Sequence, residues 1–320
     1  RIPAAAPQNG QVTLRCDSVL KERRTMSDTA DAQLFPELER YVEKNGLLAN
    51  AKGILAARLP RILGQGKTRA EGLDLPPAAI ERQQELLALS LPEDATKDPG
   101  IRREMEAAQR AVDEHADHMR HPENRRRFAL QVLRQLEGVT TGNKDNHFFA
   151  DRFVLVPDKS GLSWSWSMTP HYAMISKIPA DVEYVVRAYE ASERIVEKWT
   201  MPVDRFLDRL SLAWGMARHF NEDENVLIAD VARLFKVAVQ DDRFWNSPAR
   251  RNFEDVPEAV FIINLINWRR NRDSASGPNF ELVPATLNQA HGSKSRAFFV
   301  PGNTEGTIVR PMIYIRRVGK

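Results

Sequence analysis

The sequence lacks most of the features that make a function easy to read. A single cysteine, Cys16, stands in 320 residues, which excludes an intramolecular disulfide and any cysteine-rich zinc site. That scarcity fits a reducing intracellular compartment such as the cytoplasm. No apolar stretch approaches the roughly 20 residues of a membrane-spanning helix; the longest, AVFIINLI, covers Ala259 to Ile266. Charge of one sign is not in large excess either. Lysine and arginine number 46 against 43 aspartates and glutamates, and the net +3 implies no polyanionic partner by itself. There is no internal repeat, low-complexity tract, nucleophile elbow, catalytic Cys/His pair or spaced carboxylate dyad. The chain therefore reads as non-catalytic, with no cofactor expected.

What is present is enough apolar content, 42%, to bury one large core or two modest ones. Residues 1–33 carry Asp17 and Glu22 and no apolar centre, so they read as a flexible arm rather than a secretory signal. Residues 34–141 have helical periodicity. LFPELERYVEK and LLANAKGILAARL are amphipathic pieces, interrupted by Gly46 and closed by Pro60. Ile101, Met105, Ala108, Val112, His115 and Met119 then recur in steps of four and three, a helix-packing seam that ends near Pro122. Pro122 suits the first turn of a further helix that stops at Gly138.

Residues 142–320 add strands. FVLVP and LSWSWSM flank the turn formers Pro157 to Gly161 and predict a hairpin, with Trp164, Trp166 and Met168 on one face and Ser163, Ser165 and Ser167 on the other. Helices resume at Asp181 and again after Pro202, PEAVFIINLINWRRN predicts a central buried helix, and FELVP, RAFFVP and TIVRPMIYIRRV predict short strands. The fold class expected is mainly α, with a small antiparallel β component confined to the second region.

Three motifs invite a functional reading. LIADVARLFKVAVQDDRFW, Leu227 to Trp245, has the pattern of a DNA-reading helix-turn-helix: Ala232, Phe235 and Val237 fit. Lys236 occupies the turn position, however, and Asp242 stands where the second helix would bury an apolar side chain, at a cost of several kcal/mol if unpaired. One core helix over Leu227–Gln240 accounts for the segment better, with Gln240 and Arg243 expected on the protein surface. LGQGKT, Leu63 to Thr68, copies the end of a phosphate-binding loop, in which Lys67 would reach phosphate and Thr68 magnesium. Arg61 replaces the required glycine there, and the preceding residues are helical. His115, His118 and His121 lie at steps of three, which spreads them over about 9 Å of helix axis, too far for one ion. His147 and His171 fall at the ends of the hairpin and read as structural.

The placement of arginine points furthest. Arg120, Arg125, Arg126 and Arg127 surround a predicted helix start, where positive charge opposes the helix dipole. Arg250 and Arg251 form a second cluster, Arg269, Arg270 and Arg272 a third, and Arg310, Arg316 and Arg317 lie in the last predicted strand. Guanidinium groups bind phosphates bidentately and stack on bases. The partner expected is RNA or DNA, held mainly by its backbone, and the protein is expected to be a self-assembling, homo-oligomeric coat or nucleoprotein subunit. A helix-turn-helix regulator is the alternative, and an NTPase built on Lys67 and Thr68 the third reading.

Overall fold

The computed structural model describes residues 34–67, 73–144, 147–219, 225–271, 278–290, 297–302 and 308–318. The expected arm over residues 1–33, Cys16, Thr68 and Arg272 lie outside the described residues. The chain packs as two compact units, the first holding described residues 34–67 and 75–113, the second holding 73–74 and those from Glu114 onward.

The first unit is built from α1 (Pro36–Lys44), α2 (Leu47–Asn50), α3 (Ile54–Ile62), α4 (Ala79–Leu87), α5 (Glu93–Lys97) and most of α6 (Pro99–Arg120). Leu38, Leu59, Ile62, Leu86 and Ile101 are buried together at its centre. Pro60 does not close α3 but lies inside it. No side chain at its own entrance caps α1. Its first free N–H groups, on Glu37 and Leu38, donate instead to the Glu104 carboxylate of α6 at 2.7 and 3.0 Å. A carboxylate there satisfies two orphan donors and complements the helix dipole.

The second unit begins with the end of α6 and with α7 (Pro122–Gln135), then five strands: β1 (Thr141–Lys144), β2 (His147–Ala150), β3 (Phe153–Pro157), β4 (Ser163–Thr169) and β5 (Tyr172–Pro179). They pair with their sequence neighbours as an antiparallel meander. There follow α8 (Val182–Trp199), α9 (Val203–His219), β6 (Val226–Leu227), α10 (Ile228–Ala238), α11 (Asp242–Asn246), a 3-10 turn over Arg250–Asn252, and α12 (Ala259–Arg270). The unit closes with β7 (Asn279–Pro284), α13 (Leu287–Ala290), β8 (Phe298–Pro301) and β9 (Val309–Val318). Strands β6 to β9 make a second antiparallel sheet of four. In it β6 and β8 line one edge of β9 in tandem, through Val226↔Ile315 and Phe298↔Met312, while β7 takes the other edge. Among the described residues no helix is long and apolar enough to cross a membrane.

Two antiparallel sheets, of five and four strands, overturn the expectation of a mainly α protein with a small β component: the fold is mixed α+β. The hairpin β3–β4 is as the alternation predicts, with Val154 opposite Ser167 and Val156 opposite Ser165. Strands β1, β2 and β5 escaped. TGNK and HFFA are four residues each, too short for a period of two to declare itself. In β5 the pairing slips: Trp164 faces Ile178, Trp166 faces Ile175 and Ser167 faces Ala173. The extra residues, with Lys177 at φ 58°, are bulges that break alternation and sharpen the twist.

Helices α7 and α8 pack on the meander. The Phe128 ring sits 5.0 Å from Trp164, and Tyr189 meets Trp166 edge to face at 5.3 Å. Ser163 and Ser165 keep partial exposure, but Ser167 and Thr169 are buried, because α12 and β8 reach the other face of β4. The AVFIINLI stretch forms the buried helix expected, and one polar residue lies inside it. Asn264 accepts from Met201 N at 2.9 Å and donates to Trp199 O at 2.9 Å and Val260 O at 3.0 Å.

Trp164 and Trp166 are both 0% exposed but differ in one respect. Trp166 Nε1 donates to Val185 O at 2.7 Å, whereas Trp164 Nε1 is buried with no partner among the described residues. Replacing each by Phe removes a similar volume, but only Trp166→Phe gives up a buried hydrogen bond, while Trp164→Phe removes an unpartnered donor. Urea unfolding should show Trp166→Phe less stable than Trp164→Phe by about 1–3 kcal/mol; equal losses would contradict this account.

Candidate functional site

The segment resembling a helix-turn-helix does not fold as one. Helix α10 continues through Lys236, where that motif needs its turn, and buries Ile228, Val231, Phe235 and Ala238. Leu227 and Leu234 are only half-buried. Asp242 is exposed at the start of α11, and Asp241 caps that short helix by accepting from Phe244 N at 3.1 Å.

Gln240 is a correction. It is 2% exposed rather than on the surface, and its amide binds the backbone of Glu254 in both directions, accepting from N at 2.8 Å and donating to O at 2.9 Å. It also donates to Lys236 O at 2.7 Å. A glutamine after a helix end looks solvated in sequence; nothing local shows that the chain returns beside it.

The Gly/Lys loop follows α3, not a strand. Arg61 donates to Lys67 O at 2.6 Å, pairs with Glu81, and lies 3.7 Å from Glu85. A Cβ at Gly66 would meet Arg61 Cγ at 2.5 Å, so the loop is closed against the arginine stem. Its backbone is curled around a cation rather than opened around an anion.

Among the described residues no group of three His, Cys, Asp or Glu side chains is placed to hold a metal. His115 is half-buried on the seam, and burial, with His118 nearby, lowers its pKa. His118 and His121 are exposed. His147 opens β2 with Nδ1 buried and without a partner among the described residues. His171, in the turn between β4 and β5, stacks on Phe299 at 3.9 Å. The adjacent Tyr172 stacks on Phe298, and its hydroxyl accepts from Phe299 N at 3.1 Å. Burial lowers the His171 pKa and pushes the Tyr172 phenol up to about 12. This aromatic joint fastens the meander to β8.

The arginines divide into those with structural work and those without. Arg120 pairs with Asp117 at 2.5 Å at the end of α6. Arg125 donates to Met119 O at 2.5 Å and Lys159 O at 3.1 Å, closing the end of α6 and holding the β3–β4 turn. It opens α7, but it also faces the carbonyl end of α6, where a cation is favourable. The apparent cost at the helix start therefore needs no ligand to explain it at this residue. Arg269 donates to Pro301 O at 3.2 Å. Because Pro301 pairs with Val309, that contact brings Arg269 beside Arg310, two residues far apart in sequence. Arg316 places Nε and Nη2 on one Glu281 oxygen at 2.9 and 2.6 Å.

Arg126, Arg127, Arg250, Arg251, Arg270 and Arg317 are exposed, and their side chains make no ion pair or hydrogen bond among the described residues. They lie on separate elements: α7, the 3-10 turn, the end of α12 and β9. Arg250 and Arg251 lie on the 3-10 turn, and Arg270 closes α12, whose twelve residues run roughly 18 Å. Six residues of β9 put Arg310 and Arg316 about 20 Å apart.

Two outcomes test this geometry. Gln240→Ala strands both backbone groups of Glu254 and should cost about 2 kcal/mol in urea unfolding, where a surface glutamine would cost almost nothing. His171 is exposed overall, but the ring face stacked on Phe299 is shielded from water and resists protonation in the fold, while the unfolded chain protonates it near the ordinary value of about 6.5. Its contribution is thus present above that pH and lost as pH falls toward the lowered folded value. His171→Phe keeps the stack and should flatten the decline in urea midpoint between pH 7.5 and 5; an unchanged slope would remove His171 from the account. Comparison with protein-family models, curated proteins and solved structures finds no match, so the functional reading rests on the residues alone.

Proposed function

We propose that this protein binds nucleic acid through its phosphate backbone, using separated arginine pairs and no base-reading helix, as a non-catalytic subunit of an assembly of the coat or nucleoprotein kind. The observation that carries the reading is the set of exposed arginines without acidic partners among the described residues: Arg126 and Arg127 on α7, Arg250 and Arg251 on the 3-10 turn, and Arg270 at the end of α12. A guanidinium with no carboxylate beside it is available for a phosphate. Their placement on three separate elements suits an extended polyanion better than a compact anionic metabolite.

Arg120, Arg125, Arg269 and Arg316 drop to supporting roles, since their donors already have partners. Self-assembly is supported by open sheet edges: β1 and β7 each pair on one side only among the described strands, which leaves backbone groups for a second copy. Neither the regulator nor the NTPase reading gains a supporting observation, because α10 runs through the turn position and the Gly/Lys loop closes on Arg61.

Arg126→Gln/Arg127→Gln tests the proposal without touching Arg125. In anisotropy titrations the pair should weaken binding of unrelated sequences about equally and make the salt dependence shallower by roughly one to two units of log–log slope. Its urea midpoint should stay at the wild-type value. Protein purified without nuclease should carry nucleic acid in a large assembly, read from its absorbance ratio at 260 and 280 nm and its scattering mass. Wild-type protein that binds neither RNA nor DNA in a salt-dependent way at low ionic strength would overturn the proposal.

A further inference from the structure

Resting on the nucleic-acid reading, we infer that Trp245 is a stacking platform for an unpaired base, which makes the loop from Gln240 to Glu254 a single-strand binding element. The loop is clamped at its base, where the Gln240 amide pairs with the Glu254 backbone. Midway, Asn252 Nδ2 donates to Ser247 O at 2.8 Å and holds the turn that carries Arg250 and Arg251. Phe244 turns inward and meets Phe253 edge to face at 5.5 Å. Trp245 turns outward, with its ring against the edge of Phe244 at 5.6 Å and 42% exposed. A tryptophan this open in so closely tied a loop contributes little to the core, since its neighbour Phe244 already makes the inward contact.

The charges around it name the occupant. Arg243, Arg250 and Arg251 are exposed and, among the described residues, have no carboxylate partner. Of the four acids in the loop and next to it, Asp241 caps α11 and Glu254 pairs with Lys198. Asp242 and Asp255 remain against three arginines. An apolar protein partner would want a wider apolar surround than one indole in a loop this rich in charge. A single strand fits: any base can stack on the indole, and its flanking phosphates can meet the guanidinium groups. A duplex cannot offer the face of a base to Trp245 without unstacking.

Labelled oligo(dT), oligo(U) and a duplex of equal length separate the outcomes. Trp245→Ala should weaken both single strands roughly tenfold or more, leave duplex affinity and the salt slope as in wild type, and keep the urea midpoint. Trp245→Phe should lose less. Arg250→Gln/Arg251→Gln should instead make the slope shallower for every ligand. If wild type binds with salt dependence and both Trp245 variants match it on single strands, the stacking inference is overturned while the phosphate reading stands. If wild type binds nothing, both fall.

Discussion

Asn264 is the constraint on which the second unit turns. It is the one polar residue in the central turns of a helix that is otherwise apolar over most of its length, and it is 0% exposed. Its amide has both ends in use, and Asn267 adds a bond to Met201 O at 3.1 Å. Together they hold the tight connection from Trp199 to Met201, where α8 gives way to α9. Helix α8 packs on the meander, and α9 packs on α10, α12 and the short strand β6 of the second sheet. One carboxamide thus fixes the angle at which the chain leaves one sheet and begins the layer that covers the other. In a low-dielectric interior such a bond is strong when complete and costly when broken, so it also specifies a single arrangement.

The same device recurs, and it marks the limit of what the sequence could disclose. Glu104 caps α1 from 66 residues away, Arg125 closes α6, and Gln240 pairs with a backbone 14 residues on. Each is a long polar side chain of the kind that sequence reasoning assigns to water. Helices were legible because an apolar face repeats over several turns, as in the seam from Ile101 to Met119, and β3–β4 was legible because tryptophan and serine alternate cleanly. Strands of four residues, and a strand interrupted by bulges, carry no such repeat. For the candidate interface, clustering of arginine was visible in sequence but commitment was not. Arg126 and Arg125 are neighbours with different environments, since only one reaches the end of α6. The meeting of Arg269 with the Arg310 end of β9 depends on a strand pairing that no local pattern encodes.

Trp245 shows the converse. A tryptophan in a short apolar cluster is ordinarily a core residue, and here its neighbour Phe244 takes the inward place. Which of two adjacent aromatics faces solvent is decided by the phase of a single helical turn, which the Asp241 cap sets. Exposure of the ring is therefore a consequence of where α11 starts rather than of any weakness in the surrounding core.

The tandem pairing along β9 also orders events in time. Strands β6, β7 and β8 come from three separate stretches of chain, and within this sheet each pairs with β9 and with no other described strand. During synthesis from the N-terminus the helices α8 to α10 can gather before residues 309–318 leave the ribosome, but no rung of this sheet can form. Until then three strand edges and the apolar faces beneath them, including Phe280 and Val300, stand uncovered. The nascent chain is thus most open to association with other chains just before β9 emerges, and that strand ends the interval by binding three waiting segments at once.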